Sequence, residues 1–219
     1  QADIEAERAV LDVLTHAYPE HGVLAEESGL QEGSEYTWVI DPLDGTTNFL
    51  HGFPMFAVSV AAMRNGVLEH GVVYDPLRDE MFTASRGEGA QLNGKRLRVS
   101  STRQLTPALL GTGFPFRDLS IIEPWMRSFQ SLVPKTAGIR RAGAAALDLA
   151  YVAAGRLDGF WEFGLKPWDM AAGALLIREA GGLVSDVSGE QGFIESGNLV
   201  AATPHIFEDL RKIVARSGL

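Results

Sequence analysis

Residues 38–49 read WVIDPLDGTTNF, and this stretch decides how the rest of the chain is interpreted. It opens on three apolar residues, a short run typical of a buried strand. Pro42 restricts its own backbone φ and Gly45 permits a left-handed conformation, so we expect a tight turn where the strand ends. Such a turn predicts that the carboxylates of Asp41 and Asp44 converge on one point.

Two carboxylates beside a carbonyl, here that of Leu43, form a hard-oxygen cluster suited to Mg²⁺ or Mn²⁺. Thr46 and Thr47 follow with backbone N–H groups and hydroxyls, which favour an anion. Acidic groups repel an anion unless a cation lies between them, so the stretch predicts a site for metal and phosphate together. The ordinary alternative is a plain turn, because Asp-Pro and Asp-Gly are common turn formers.

Glu26 and Asp169 are further candidate ligands, and each also has an ordinary structural interpretation. Glu26 follows the apolar run 23–25, which predicts a strand, and with Glu27 it fits equally well as a solvated pair at the end of that strand. Asp169 opens a helical pattern over 169–180, so we expect it to cap that helix. A cap and a ligand are compatible roles because a carboxylate has two oxygens.

Composition narrows the class of protein. The 219 residues include 28 Asp plus Glu, 19 Lys plus Arg and no cysteine, which gives a formal charge of −9. The missing cysteines exclude disulfides, zinc–thiolate sites and a thiol nucleophile, and the histidines are scattered without metal-ligand spacing. The acidic balance argues against nucleic acid as the main partner. Because neither a membrane-spanning apolar stretch nor a signal peptide is present, we expect a cytoplasmic protein with no membrane partner.

The first half of the chain is typical of an antiparallel sheet, and the second half alternates strands with helices. Apolar spacing predicts a helix up to Ala17, then strands over 55–63 and 67–74 joined by the hairpin pair Asn65-Gly66. Further strands are predicted over 80–85, 91–100, 159–163, 183–185 and 199–202, and further helices over 121–132, 144–155 and 204–216.

Three motifs in order carry a resemblance to a known family. AEESG at 25–29, WVIDPLDGTTNF at 38–49 and KPWDMAAGALLIREAGGLVSD at 166–186 resemble the inositol monophosphatase family, and its bacterial branch in particular. The resemblance implies a layered αβαβα sandwich of mixed α and β structure, forming one domain over 1–219. It also implies Mg²⁺-dependent hydrolysis of inositol monophosphate to inositol and phosphate.

The same resemblance assigns the metal ligands. It implies one Mg²⁺ held by Glu26, Asp41 and the Leu43 carbonyl, and a second held by Asp41, Asp44 and Asp169. A third, weaker Mg²⁺ is implied near Glu26, bound largely through water. Mn²⁺ is a possible substitute, and Li⁺ is expected to inhibit by displacing the second Mg²⁺.

Catalytic and substrate contacts follow from the same motifs. Thr46 is expected to orient the attacking water together with Asp3, and Glu26 to act through the first metal. Asp3 has an ordinary alternative as an acidic residue in a first helical turn, and Arg140 as surface charge. The implied substrate contacts are Leu43, Asp44, Gly45, Thr46, Arg140, Gly143, Ala144, Ala145, Glu162 and Asp169.

Other substrates and a different class of function stay open. Relatives in the superfamily hydrolyse fructose 1,6-bisphosphate, histidinol phosphate or 3′-phosphoadenosine 5′-phosphate, and broad sugar-phosphate activity is a further alternative. A non-catalytic interaction module that keeps the fold is the alternative of another class. The family pattern also implies a homodimer, and it places a helical segment with a lysine-bearing loop ahead of the first residue here.

Overall fold

The computed structural model describes residues 1–116 and 118–218, which form two β-sheets alternating with three layers of helices. The layers run from α1, through the first sheet, the pair α4 and α5 and the second sheet, to α3 and α7. This order confirms the predicted αβαβα sandwich. The helices are α1 Ala2–Ala17, α2 Thr46–Leu50, α3 Ile122–Leu132, α4 Ala145–Ala153, α5 Pro167–Glu179, α6 Phe193–Ser196 and α7 Pro204–Ala215.

The first sheet is almost entirely antiparallel, with strand order β2-β1-β3-β4-β5-β6-β7-β8 and a single parallel pair, β1 with β3. Asn65 and Gly66 both have positive φ, 48° and 81°, so the predicted hairpin turn between β4 and β5 is confirmed. The strands are β1 Gly22–Ala25, β2 Gly29–Gln31, β3 Tyr36–Asp44, β4 Ala57–Arg64, β5 Val67–Asp75, β6 Glu80–Ser85, β7 Gly89–Leu92 and β8 Lys95–Arg96.

The second sheet is shorter and mixed, with strand order β10-β9-β11-β13-β12. Within it, β9 pairs in parallel with β10 and with β11, whereas β13 pairs antiparallel with β11 and β12. The strands are β9 Leu109–Thr112, β10 Gly138–Arg140, β11 Gly159–Glu162, β12 Leu183–Ser185 and β13 Leu199–Ala202.

The helices α4 and α5 fill the space between the two sheets. Both are buried on nearly all sides, as expected of helices that are apolar all round. They approach closely because Gly173 has no side chain, and a Cβ added there would lie only 2.5 Å from the Leu149 Cβ. This contact lies near the middle of both helices, whose first turns meet the site described below.

Several predicted boundaries are wrong. The strand β3 does not stop before Asp41 but runs through Asp44, and the predicted strand 91–100 is two short strands, β7 and β8, around the turn at Asn93-Gly94. The helix α5 begins at Pro167, so its N-cap is Lys166 and not Asp169. The strands β2, β9 and β10 were not predicted. In residues 1–116 and 118–218, no helix is both long enough and apolar enough to cross a bilayer.

Candidate active site

A bulge in β3 brings the first two acidic residues together. The pairing of β3 with β4 is regular up to Asp41, shifts, and resumes at Asp44 opposite Ala57. A bulge adds an unpaired residue and turns the side chains of the strand. Asp41 and Asp44 therefore converge as predicted, but on an irregular strand end and not on a free turn.

A main-chain N–H group orients each carboxylate of the cluster. Asp41 Oδ1 accepts a hydrogen bond from the Leu43 N–H at 2.9 Å, and Asp44 Oδ2 accepts one from the Ala146 N–H in the first turn of α4 at 2.7 Å. Asp169 lies in the first turn of α5, and its Oδ2 accepts from the Lys166 N–H at 2.7 Å. The cluster is thus fixed by three separate elements, the arrangement that holds metal ligands in place.

Asp41, Asp44 and Asp169 each offer a carboxylate oxygen, and these oxygens lie within 4.8 Å of one another. Burial, reinforced by the charges of Asp44, Glu26 and Asp169, raises the pKa of Asp41 from 3.8 to about 10. Burial and the charge of Asp169 likewise raise the pKa of Asp44 well above its ordinary value. Like charges at this spacing need a cation to remain ionised together, so the cluster fits one or more divalent metal ions.

Gly45 makes the connection from β3 to α2 and can be no other residue without strain. Its φ is 88°, and an added Cβ would lie 2.8 Å from the Met55 carbonyl oxygen and 3.3 Å from the Ala144 Cβ. The helix α2 starts directly after it, and the first N–H groups of a helix have no partner inside the helix. These donors lie beside the carboxylates, where an anion held by a cation would need them.

The helix α1 fixes the segment that carries Glu26. Glu7 is 3% exposed, and its two carboxylate oxygens accept from the N–H groups of Glu27 and Ser28, each at 2.9 Å. The Glu26 N–H itself donates to the Ile40 carbonyl, one residue before Asp41. Glu26 is therefore held next to the cluster, and it lines the same cavity.

The cavity has a volume of about 420 Å³. One wall comes from β3 and α2, another from the start of α4, and a third from residues 112–116, 118 and 121, at and after the end of β9. The lining includes most predicted site residues: Glu26, Asp41, Leu43, Asp44, Gly45, Thr46, Gly143, Ala144, Ala145, Glu162 and Asp169.

Glu162, at the end of β11, reaches the cavity over a glycine. A Cβ added to Gly113 would lie 2.1 Å from Glu162 Oε1, so the carboxylate occupies the space that a side chain at position 113 would need. Its charge contributes to the raised pKa of Asp44, which places it in the same electrostatic environment as the cluster.

Two predicted residues lie elsewhere. Arg140 is exposed on β10, where its Nη1 donates to the Ile139 carbonyl, and the neighbouring Arg141 lines the cavity instead. Asp3 accepts from the Ile4 N–H at 3.1 Å, in the first turn of α1. The Thr46 hydroxyl donates to the Leu43 carbonyl at 2.9 Å, so the implied pairing of Thr46 with Asp3 is not the contact formed.

The sequence reasoning missed part of the lining. The segment after β9 contributes Phe114 to the cavity, and the Arg141 guanidinium carbon lies 4.2 Å above the centre of that ring. Asp148, buried in the first turn of α4, was also missed. A signal for the segment existed in GTGFPF at 111–116, where glycines and aromatic residues follow a β-prone run, but Asp148 has none in an alanine-rich helix.

Comparisons with known proteins agree on one family. A family model for the inositol monophosphatase family matches residues 1–218. The Nus factor SuhB of Pseudomonas aeruginosa is 60% identical over 216 residues, covering 96% of this chain and 80% of the relative. The extragenic suppressor protein suhB of Bartonella henselae superposes with a TM-score of 0.96 at 46% identity, covering 100% of this chain and 84% of that one.

A third similar structure is the inositol monophosphatase of Anabaena, with a TM-score of 0.90 and 41% identity. It covers 98% of this chain, and this chain covers 86% of its length. With a family model matched almost from end to end and a buried acidic cluster in its cavity, this chain belongs to the inositol monophosphatase family.

Proposed function

We propose that the protein hydrolyses phosphate monoesters with the help of Mg²⁺, and that inositol monophosphate is its preferred substrate. The observation that carries the proposal is the convergence of Asp41, Asp44 and Asp169 within 4.8 Å in one cavity. Membership in the inositol monophosphatase family supports the substrate class.

The donor set fits Mg²⁺, because it consists of hard oxygens held in fixed positions. Asp41, Asp44, Asp169 and Glu26 would hold the ions, together with the Leu43 carbonyl. That carbonyl already accepts from the Thr46 hydroxyl, and its second lone pair can serve a cation. Bound divalent ions supply charge neutralisation for the phosphate and acidify water.

The chain's own groups position the reactants. The N–H groups at the start of α2 donate to phosphate oxygens, and their charge assistance grows as negative charge develops there. Because the Thr46 hydroxyl proton points to the Leu43 carbonyl, the lone pairs of Oγ1 accept from a water and orient it. Glu162 and the backbone around Gly143 face the leaving alcohol.

Replacing Asp41 tests the proposal. Asp41→Asn keeps the shape of the side chain and removes its charge, so Mg²⁺-dependent phosphate release should fall to background. Asp12→Asn, an exposed change on α1, should behave like wild type. Wild-type turnover by Asp41→Asn would contradict the proposed metal-assisted mechanism.

A substrate panel tests the preference. Inositol 1-phosphate should give the highest kcat/KM, ahead of fructose 1,6-bisphosphate, histidinol phosphate and 3′-phosphoadenosine 5′-phosphate, and Li⁺ should inhibit. Equal rates on all of them would replace the inositol preference with a broad sugar-phosphate activity.

The relatives favour a second function for the chain, as a Nus factor, because the 60% identical protein of Pseudomonas aeruginosa bears that name. The test is replacement of that relative in its own cell by this chain or by Asp41→Asn. Restored growth with both proteins would show a role that needs no hydrolysis. Growth with neither would remove this second candidate.

Two expectations complete the proposal. We propose that the protein acts in the cytoplasm as a homodimer. Light scattering coupled to size-exclusion chromatography measures the mass of the assembly, and a monomer at all concentrations would contradict the homodimer.

A further inference from the structure

Asp148 is a buried carboxyl group outside the set of proposed metal ligands. It lies in the first turn of α4, is 2% exposed, and lines the cavity. Within residues 1–116 and 118–218, no group donates a hydrogen bond to its side chain. A buried polar group without a partner is costly, so its retention calls for an explanation.

Asp148 differs from Asp41, Asp44 and Asp169, whose carboxylates each accept a hydrogen bond from a main-chain N–H group. A Cβ added to Gly111 would lie 3.6 Å from Asp148 Cγ, which places the carboxyl group between β9 and the cavity. Burial raises the pKa of Asp148 well above its ordinary value, and the charge of Arg141 opposes that rise. The charges of Asp148 and Glu162 both contribute to the raised pKa of Asp44, and all three residues line the cavity.

The chemistry of this position suits a phosphate poorly. An ionised carboxylate repels a phosphate oxygen and a protonated one offers it a single donor, whereas the start of α2 offers several main-chain N–H groups. The hydroxyl groups of a polyol, in contrast, are both donors and acceptors and match an unpartnered carboxyl group. A site built to hydrogen-bond a hydroxyl discriminates strongly against ligands that lack it.

We propose that Asp148 is a specificity-determining residue that hydrogen-bonds a hydroxyl group of the polyol part of the substrate. The proposal rests on the hydrolysis proposed above. The alternative is a purely structural role, in which an acidic residue in a first turn stabilises the dipole of α4.

The experiment compares inositol 1-phosphate, which carries ring hydroxyls, with 4-nitrophenyl phosphate, which carries none. Asp148→Leu keeps the approximate shape and removes both oxygens. It should raise KM for inositol 1-phosphate by about 10-fold to 100-fold, the effect of losing a hydrogen bond to a buried carboxyl group. The kcat/KM for 4-nitrophenyl phosphate should stay close to that of wild type.

Two further variants keep the test decisive. Asp148→Asn retains one acceptor oxygen, so it should show a smaller rise in the same KM, and it replaces Asp148→Leu if that variant does not fold. Glu123→Gln removes a first-turn carboxylate of α3 outside the cavity and should change neither substrate's kinetics.

The remaining outcomes contradict either the inference about Asp148 or the proposed hydrolysis. An equal loss on both substrates, or no change on either, would assign Asp148 a structural role and contradict the inference alone. Failure of the wild type to hydrolyse either phosphate would contradict both the proposed function and the inference that rests on it.

Discussion

At the scale of single residues, the direction of one hydroxyl proton determines what Thr46 can do. Its Oγ1 donates to the Leu43 carbonyl at 2.9 Å, so the oxygen is left as an acceptor on the cavity side. The resemblance to the family implied a partnership with Asp3, but in this structure the geometry assigns that proton to the backbone. The water-orienting role that we propose for Thr46 therefore needs no second side chain.

Removing this hydroxyl should slow catalysis without disturbing the fold. We expect Thr46→Val to lower kcat by about 10²-fold, the order of loss that follows when a reactant is no longer held in position. Thr46→Ser keeps the hydroxyl and should retain most of the activity. Steady-state kinetics and circular dichroism measure both variants, and an unchanged kcat for Thr46→Val would remove the assigned role.

At the scale of elements, α1 matters to the site although it contributes no group to the cavity lining. Its buried Glu7 accepts the Glu27 and Ser28 N–H groups and so fixes the backbone next to Glu26. The helix also covers the outer face of β1 and β3 with a small cluster that includes Val23 and Ile40. The loop bearing Glu26 is thus fastened to a helix and to a strand at once.

Glu7→Gln should loosen this attachment. The amide offers a single acceptor oxygen, so one N–H group loses its partner, and we expect a loss of about 1–3 kcal/mol in the free energy of unfolding. Binding of Mn²⁺ should weaken because Glu26 is held less firmly. Urea denaturation and calorimetric titration measure the two effects, with exposed Glu5→Gln as the control; unaltered Mn²⁺ affinity would separate Glu7 from the site.

The elements also show what could be predicted from sequence. Long periodic segments such as α5 and the β4–β5 hairpin were predicted because their apolar patterns and turn residues agree. The short strands β9 and β10 were missed, since three or four residues carry too little periodicity. Arg140 and Arg141 were confused because neighbouring side chains at a strand end point to opposite sides.

The acidic cluster of the site was predicted, whereas the contributions of Phe114, Arg141 and Asp148 to the cavity lining were not. Asp41, Asp44 and Asp169, the proposed metal ligands, lie within motifs whose combination of residue types is typical of few other kinds of site. Asp148 lies in a helix that is otherwise apolar, and only the tertiary contact with β9 gives its carboxyl group a place in the cavity.

At the scale of the whole molecule, the formal charge of −9 is unevenly placed. Part of it is gathered in one cavity, where burial and mutual repulsion raise the pKa values of Asp41 and Asp44. Without metal, the folded state therefore binds protons that the unfolded state releases. Because these carboxylates repel an anion, cations must bind in the cavity before a phosphate can enter.

This arrangement predicts that a rise in pH destabilises the metal-free protein and increases the stabilisation that metal provides. A carboxyl group with a raised folded-state pKa stabilises the fold below its unfolded pKa, and that contribution is lost as pH rises through the folded value. The metal-free protein should thus lose stability between about pH 4 and pH 10 from this cluster. Mg²⁺ competes with those protons, so its effect on Tm should grow with pH; a Tm increment independent of pH would contradict the assignment.

The central claim is that the cluster of Asp41, Asp44 and Asp169 holds divalent metal ions. Calorimetric titration of Mn²⁺ into metal-free wild-type protein and into Asp41→Asn measures it directly, without any substrate. We predict more than one bound Mn²⁺ per wild-type chain and the loss of the tightest binding in Asp41→Asn, because Asp41 is central to the cluster. Identical titrations of the two proteins, or no binding by the wild type, would contradict the account.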